Sequence, residues 1–338
     1  DGIHGATFSS EALDAGSPAT AVQIGDAITQ KKFSDALVKE ARDRGLYNSI
    51  TDNGAGGLSS SVGEMAEQTG GCEVWLHKVP VKYPGLSPWQ IWISESQERM
   101  TLAVPKSKWS AFQSLIQSRG SEATIIGKFN NSGVCKVIYQ KETVLELEME
   151  FMHNGNPVRV QKSTPVTPTI TNPTKAVLKQ NERTMQKTIL DMLRRGNIGS
   201  SEFITSQYDH EVQSNSIIKP LQGKGKVNGS ATVIKPLLSS KKGVVMSQAL
   251  YPRLSEVSCY DMAACAIDTA IRNVVSVGGN VDQVALMDNF CWCSSDEPER
   301  LGQLKAAAQA CYDYAVAFGT PFVSGKDSMF NDFKGYNE

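Results

Sequence analysis

The sequence predicts an α/β protein of two domains, with mixed sheets and packed helices. Helix-type and strand-type hydrophobic patterns follow one another along both halves of the chain, which is typical of this fold class. Residues 160–175 are rich in proline and threonine and predict a linker between the halves. The 338 residues, 40% of them hydrophobic and 20% charged, suffice for two domains with cores of their own.

The first half carries a mixed succession of elements. Val22 and Ile24 alternate as in a short strand, and Asp26 begins a helical pattern that Gly45 stops. The elements expected after it are a strand at 47–52, a helix from Ser60, a strand at 72–81, a strand ending at Pro105, a helix at 107–118, and a hairpin of strands 123–129 and 135–139 around 130–133.

The second half predicts longer helices around short strands. The expected elements are a helix at 175–195, a turn and strand region at 206–236, a helix at 259–277 stopped by Gly278 and Gly279, a strand at 284–287 that ends at Asp288, a helix at 301–318, and a strand at 321–323 that ends at SGKDS. Polar residues at strand ends are where α/β folds place their ligands.

Composition and charge exclude several classes of partner. A net charge of −1 gives no electrostatic reason to expect nucleic acid or an anionic membrane surface. No run of about 18 apolar residues predicts a membrane span. The opening residues, DGIHGATFSS, lack the basic and apolar regions of a signal peptide, so none is expected.

The cysteines and histidines do not follow a metal-binding pattern. The seven cysteines include Cys291 and Cys293, which form CxC rather than CxxC, and Cys265 and Cys311, which we expect to be small buried thiols. Reduced cysteines favour a cytoplasmic protein. A histidine metal site is not expected, because the histidines are scattered: His4, His77, His153 and His210.

Residues 51–61, TDNGAGGLSSS, form the most informative stretch. Glycines allow positive φ and bring backbone N–H groups close to an anion, and Ser59 is placed to cap the helix that follows. Asp52 is a candidate ligand for Mg²⁺, which prefers carboxylate oxygens together with phosphate and water. An ordinary glycine turn between strand and helix is the alternative, since the stretch is neither a Walker loop nor GxGxxG.

Further polar residues stand at predicted strand ends. They are Gln23 in VQIGD, Glu95, Ser96 and Gln97 before Arg99 in ESQER, Asp288 after VALM, and Gly325, Lys326, Asp327 and Ser328 in SGKDS. A strand-end aspartate is often a cap or turn residue, ESQER could be a solvated turn, and SGKDS lacks the GxxxxGK context of a phosphate loop. His210 is a candidate base, although a loop histidine is commoner.

Five segments taken together resemble the phosphoribosylformylglycinamidine synthase family, within the aminoimidazole-ribonucleotide-synthetase superfamily. They are TDNGAGGLSSSVGEMAE, KYPGLSPWQIWISESQERMTLAVP, YDHEVQSNSIIKPLQGKG, AIDTAIRNVVSVGGNVDQVALMDNFCW and ACYDYAVAFGTPFVSGKDS. The resemblance implies a tandem of two halves, each with an N-terminal and a C-terminal α/β domain. Residues 1–163 would be the C-terminal domain of the first half without its opening strand, and residues 164–338 the N-terminal domain of the second half.

The resemblance also implies site residues. Gln23, Glu95, Ser96, Gln97 and Ser328 would contact formylglycinamide ribonucleotide, Asp288 and Gly325 would contact ATP, and Asp52 and Asp327 would hold Mg²⁺. Shorter relatives carry a metal-binding asparagine at the position of Lys326, next to Asp327. The family's catalytic histidines would lie in a domain that precedes Asp1, so no catalytic residue is expected in this chain.

The implied reaction is an ATP-dependent carbon–nitrogen ligation of purine biosynthesis. ATP would phosphorylate the amide oxygen, and ammonia from a glutaminase domain or subunit would then displace phosphate; positioning and charge neutralisation dominate such phosphoryl transfer. The missing flanking domains would be partners, and this stretch alone is expected to be inactive. The alternatives are another ATP-dependent synthetase or kinase of the superfamily, or a non-catalytic scaffold that keeps the fold.

Overall fold

The computed structural model describes residues 25–82, 84–167, 182–207 and 214–332. It divides into two compact units, one of residues 1–160 with 328–338 and one of residues 161–327. The α/β class is confirmed, with several sheets and helices in alternation. No helix of the described residues is long and apolar enough to cross a membrane.

The first unit contains most of the predicted elements in their expected order. Its helices and strands are α1 (Ala27–Ala36), β1 (Ser49–Asp52), α2 (Gly57–Glu67), β2 (Cys72–Trp75), α3 (Pro88–Ile93), β3 (Met100–Ala103), α4 (Trp109–Ser118), β4 (Gly127–Phe129), β5 (Val134–Tyr139), β6 (Glu142–Glu148) and α5 (Met149–Asn154). The predicted helix begins after Asp26, whose carboxylate caps α1 by accepting from the Ile28 N–H. Leu37–Ala41 continues α1 as a π-helical turn.

The predicted hairpin of β4 and β5 is wrong. The sheet has the order β4-β2-β5-β6, so β2 lies between the two strands that the sequence suggested as direct partners. β2 pairs antiparallel with β4 and parallel with β5, with Val74 opposite Gly127 and Val137. A second sheet pairs β1 antiparallel with β3, and places Asp52 opposite Met100.

Two hydrophobic clusters support this unit. The larger packs α2, β2, α3 and β5 together, and Val74, Leu76 and Val137 are almost inaccessible to solvent. The smaller joins α1 to α4 through Leu37, Phe112 and neighbouring side chains. The larger cluster fixes the C-terminal flank of the glycine-rich stretch, because Leu58, Val62 and Ala66 of α2 belong to it.

The second unit is built around two long helices. Its elements are α6 (Glu182–Leu193), α7 (Glu202–Thr205), β7 (Ser216–Ile218), β8 (Leu221–Gln222), β9 (Val227–Asn228), β10 (Ala231–Ile234), β11 (Val244–Ser247), α8 (Cys259–Ser276), β12 (Leu286–Cys291), α9 (Pro298–Phe318) and β13 (Phe322–Ser328). Ser258 caps α8 and Gly319 ends α9 in the left-handed conformation. Hydrogen bonds connect the strands in the orders β11-β10-β7, β12-β13 and β8-β9.

Several predictions for this unit need correction. Asp288 lies inside β12 rather than at its end, and SGKDS is part of β13 rather than a loop after it, since the pairing of the two strands extends further than their apolar residues. Both Cys265 and Cys311 were expected to be buried thiols, and Cys311 is half-buried. Cys265 is exposed, because Ala264, one position earlier, faces the core. All seven cysteines are free thiols.

The predicted linker is partly ordered against the second unit. Residues 161–167 form no helix or strand, but the Thr164 N–H donates to the Pro298 carbonyl at 2.9 Å and the Gln161 amide donates to the Asp296 carboxylate at 3.1 Å. Residues 161–167 of the predicted linker therefore contact the second unit through these two hydrogen bonds. Residues 168–175, and the start of the helix predicted at 175–195, lie outside the described residues.

Candidate functional site

The glycine-rich stretch joins β1 directly to α2 by a tight turn. Gly56 and Gly57 both have positive φ, of 79° and 55°, and α2 begins at Gly57 rather than at Ser60. Ser59 is not the cap of this helix: Gly56 occupies the cap position, and the Ser59 hydroxyl donates to the Gly56 carbonyl at 2.6 Å. The glycines let the chain reverse where a side chain would be strained.

Asp52 is the last residue of β1, directly before this turn, and is exposed. One carboxylate oxygen, Oδ1, accepts the Gly54 N–H at 2.9 Å and so holds the start of the loop. A carboxylate has a second oxygen, and Mg²⁺ commonly takes only one or two carboxylates with phosphate and water. Asp52 therefore fits a magnesium ligand of that kind, although no three His, Cys, Asp or Glu side chains of the described residues cluster as a metal cage.

Glu95 contacts the same loop from the other side. Its side chain is only 4% exposed, and Oε1 accepts the Gly56 N–H at 3.2 Å. A β-carbon on Gly57 would lie 1.9 Å from the Ser94 carbonyl oxygen, so the two backbones are in direct contact. The structure thus brings together Asp52 and the ESQER segment, which are far apart in sequence.

The two other residues of this segment differ from Glu95 in exposure. Ser96 is half-buried, with its hydroxyl 2.7 Å from that of Ser94, and Gln97 is exposed. These two side chains are therefore the accessible part of the segment, whereas Glu95 is committed to the glycine loop. The arrangement offers a hydroxyl and an amide side chain, which can recognise a polar ligand.

A buried polar cluster beneath the loop was missed by the sequence reasoning. The Asn53 amide oxygen accepts from the Ser61 hydroxyl at 2.6 Å and from the Thr101 hydroxyl at 2.9 Å, and the two hydroxyls are 3.0 Å apart. All three side chains are buried and connect β1, α2 and β3. Buried hydrogen bonds of this kind specify one arrangement of the loop.

In the second unit, Asp288 and Gly325 lie side by side on β12 and β13. A β-carbon on Gly325 would be 2.0 Å from the Asp288 Oδ1 atom, so the half-buried carboxylate occupies the space that the glycine leaves. Burial and, secondly, the negative charge of Asp288 raise the pKa of the nearby Cys311 thiol. The two residues that the resemblance assigns to ATP are therefore neighbours.

The remaining residues of SGKDS differ from one another in exposure. Lys326 and Asp327 are exposed, and the Lys326 ammonium donates to the Asp327 carbonyl at 3.0 Å. Ser328 is buried at the end of β13. Gln23, His4 and His210 lie outside the described residues.

Comparison with known families matches both ends of the chain. The family described as AIR synthase related protein, C-terminal domain, matches residues 1–140. The family described as AIR synthase related protein, N-terminal domain, matches residues 228–336. The domain of C-terminal type thus comes first in the chain.

Curated relatives match almost the whole chain. The chain is 29% identical over 343 residues to phosphoribosylformylglycinamidine synthase subunit PurL of Thermoplasma acidophilum, covering 99% of this chain and 44% of the relative. It is 31% identical over 337 residues to the PurL subunit of Thermococcus sibiricus, covering 98% of this chain and 44% of the relative. The chain spans less than half the length of these relatives.

Solved structures from Thermotoga maritima have the same fold. PurLQS superposes with a TM-score of 0.72 at 22% identity, over 96% of this chain and 50% of that one. PurL complexed with FGAR superposes with a TM-score of 0.72 at 24% identity, over 99% of this chain and 50% of that one. At these identities the likeness concerns the fold.

Proposed function

We propose that the chain, whose two ends match the two AIR synthase related domain families, is part of a phosphoribosylformylglycinamidine synthase. That enzyme converts formylglycinamide ribonucleotide, ATP and ammonia to formylglycinamidine ribonucleotide, ADP and phosphate. The order of the domains is the observation that carries this proposal. A domain of C-terminal type precedes one of N-terminal type, as expected across the junction of a tandem synthetase, and PurL subunits match 98–99% of the chain.

ATP would be bound by the second unit. The Asp288 carboxylate packs directly against Gly325, which supports the assignment of both residues to the nucleotide. In the proposed reaction the amide oxygen of the substrate attacks the γ-phosphorus of ATP and ADP leaves. Ammonia then attacks the amide carbon, and phosphate leaves from that carbon. The protein has mainly to position these groups and to neutralise charge.

Formylglycinamide ribonucleotide would be bound through the first unit. Glu95, Ser96 and Gln97 are the proposed contacts in the ESQER segment: Ser96 and Gln97 are accessible, and one oxygen of Glu95 also accepts the Gly56 N–H. Gln23 and Ser328 remain proposed substrate contacts. Asp52 would hold Mg²⁺, with Asp327 as the second proposed ligand, and the ion would neutralise phosphate charge when bound.

Further parts of the enzyme would complete the site. The half of the relatives that this chain does not match would supply acid–base histidines, and a glutaminase domain or subunit would supply ammonia. The proposed location is the cytoplasm, which the seven free thiols support.

The test uses the longest natural protein that contains this sequence. Phosphate release and the mass of the product are measured with ATP, Mg²⁺, ammonia and formylglycinamide ribonucleotide, and each is omitted in turn. We expect every omission to abolish product formation. Turnover of a different acceptor, such as the amidine product itself or selenide, would favour another superfamily enzyme. If neither phosphate release nor product formation depends on ATP with any acceptor, a scaffold is favoured.

The 338-residue chain alone provides a second test. We expect it to form no product under the same conditions, because loss of a positioned acid–base group typically costs about 10²–10⁴ in rate. Ribonucleotide-dependent phosphate release by this chain at an ordinary enzymatic rate would show that its own histidines, His4 or His210 among them, perform the acid–base chemistry.

A further inference from the structure

We propose that Arg99 is a positioning residue for the substrate-binding side of this site. Its guanidinium would hold the backbone of residues 94–96 against the glycine loop, so that Ser96 and Gln97 stand at the correct place. This inference rests on the proposed function, because the ligand of the segment is the substrate of the proposed synthase. Arg99 itself need not touch that substrate.

The contacts of Arg99 converge on the backbone around Glu95. Its Nη2 donates to the Ser94 carbonyl at 2.5 Å, and its Nε donates to the Ser96 carbonyl at 3.2 Å. The side chain is half-buried, and burial lowers the pKa of the guanidinium. Arg99 therefore holds the backbone of the segment on both sides of Glu95.

The same backbone is in contact with the glycine loop. The Ser94 carbonyl that accepts from Arg99 is the oxygen that lies against Gly57, and the Glu95 carboxylate between the two carbonyls accepts the Gly56 N–H. Displacement of the Ser94 carbonyl would therefore move both loops at once. Removing Arg99 would also deprive the Ser94 and Ser96 carbonyl oxygens of this donor in a partly buried environment.

Only arginine suits this geometry. Its planar fork presents several N–H donors in fixed directions, so one side chain can serve two carbonyls on either side of a residue. A lysine would keep the charge but carry a single ammonium on a flexible stem. We therefore expect lysine to preserve the fold and lose the positioning.

The experiment compares Arg99→Lys and Arg99→Ala with Arg42→Lys in the active synthase that contains this sequence. Arg42 is an exposed arginine of the same unit whose guanidinium pairs with the adjacent Asp43. For both Arg99 variants we expect the KM for formylglycinamide ribonucleotide to rise about 10-fold to 100-fold, since displacements near 1 Å have effects of that size. We expect the KM for ATP to stay within about 2-fold, and Arg42→Lys to change neither constant.

Chemical rescue supplies a readout that a merely structural role would not move. Added guanidinium ion, at concentrations that leave the wild-type rate unchanged, should lower the raised KM of Arg99→Ala for the ribonucleotide and leave its KM for ATP unchanged. Thermal unfolding of each variant reports whether the fold is retained. If Arg99→Ala does not fold, the two KM values of Arg99→Lys alone decide whether Arg99 has this positioning role.

The outcomes separate this inference from the proposed function. No ribonucleotide-dependent turnover by the wild-type protein would overturn the proposed function and this inference with it. Wild-type turnover with an unchanged ribonucleotide KM in Arg99→Lys would overturn the positioning role and leave the function standing. Equal rises in both KM values would also overturn it, because the effect would not be confined to the substrate side.

Discussion

The two candidate sites are constructed in different ways. In the first unit, the glycine loop is held by backbone contacts, a buried carboxylate and a buried polar cluster above a hydrophobic core. In the second unit, Asp288 and Gly325 lie on a pair of strands whose Met287 side chain is 74% exposed. Twenty of the buried hydrophobic residues in the described part of the chain belong to the first unit and eight to the second.

Because of this difference, we expect the first site to be rigid and the second to adapt more easily to a substitution. Where a glycine is packed against a backbone carbonyl, a substituent must displace main chain that is itself held in place. Where a glycine is packed against a carboxylate, the side chain can rotate away at modest cost. We therefore expect substitution of the packed glycine in the first site to affect folding and function together, and substitution of the glycine in the second site to affect function alone.

The largest expected effect is that of Gly57→Ala. The new β-carbon would meet the Ser94 carbonyl oxygen at 1.9 Å, and φ at this position is 55°. We expect the free energy of unfolding to fall by about 4 kcal/mol or more, measured by chemical denaturation. Gly133→Ala is the control, because φ is 79° there but no atom lies within 4 Å, and its cost should be about 1–2 kcal/mol. Similar losses for both variants would show that the contact with Ser94 is unimportant.

Next in size is the contrast between a core and a surface side chain. Leu76 is 1% exposed, so Leu76→Ala should destabilise the chain by about 2–5 kcal/mol through lost burial and the cavity left behind. Met287→Ala, on the open strand of the second unit, should lie within about 0.5 kcal/mol of the wild type. Denaturation curves of both variants decide. A large loss for Met287→Ala would mean that β12 is more tightly packed than its exposure indicates.

Gly325→Ala should affect nucleotide binding more than stability. Its β-carbon would displace the Asp288 carboxylate, with which it would otherwise be 2.0 Å apart. We expect the KM for ATP of the active synthase to rise by about 10-fold, since losing one hydrogen bond to a charged group typically costs about 1.5–3 kcal/mol, with little change in the melting temperature. Ser324→Ala, an exposed change on the same strand, serves as the control. An unchanged KM would remove Asp288 from the nucleotide site.

The smallest expected effect concerns pH. The hydrogen bond from Thr29 lowers the pKa of Asp26 from its usual 3.8, so ionised Asp26 stabilises the folded state. This contribution is complete above pH 3.8 and is lost as the pH falls through the lower folded-state pKa. Melting temperatures of wild type and Asp26→Asn should therefore differ slightly at pH 6 and converge in stronger acid. A difference that stays constant as the pH is lowered from 6 into strong acid would contradict a role for the charge.

Local patterns predicted the elements that local forces determine. Local neighbours determine the helix start at Asp26, the helices around Phe112 and Ile267, and the strand that ends at Asp52. All were expected at nearly their observed positions. The turn at the glycine stretch was likewise predictable, because glycines permit positive φ; its role as a site stays a prediction.

Long-range contacts could not be predicted from the sequence in the same way. The approach of Gly57 to Ser94, the role of Arg99, and the insertion of β2 between β4 and β5 join segments tens of residues apart. The polar SGKDS segment was expected to be a loop because its residues have low strand propensity, and pairing with β12 overrides that preference. The assignment of site residues to ligands came from the resemblance and stays a prediction.

The central position of β2 has a consequence for how the chain folds. Cys72 and Phe129 are direct partners, so about 55 residues must be made after β2 before either neighbouring strand exists. At about 5–20 residues per second, the nascent β2 waits roughly 3–10 seconds with both edges unpaired. β2 is therefore incorporated late, through non-local contacts rather than in a growing hairpin. We expect the pairing of β2 with β4 and β5 to be the rate-limiting step in the folding of this unit.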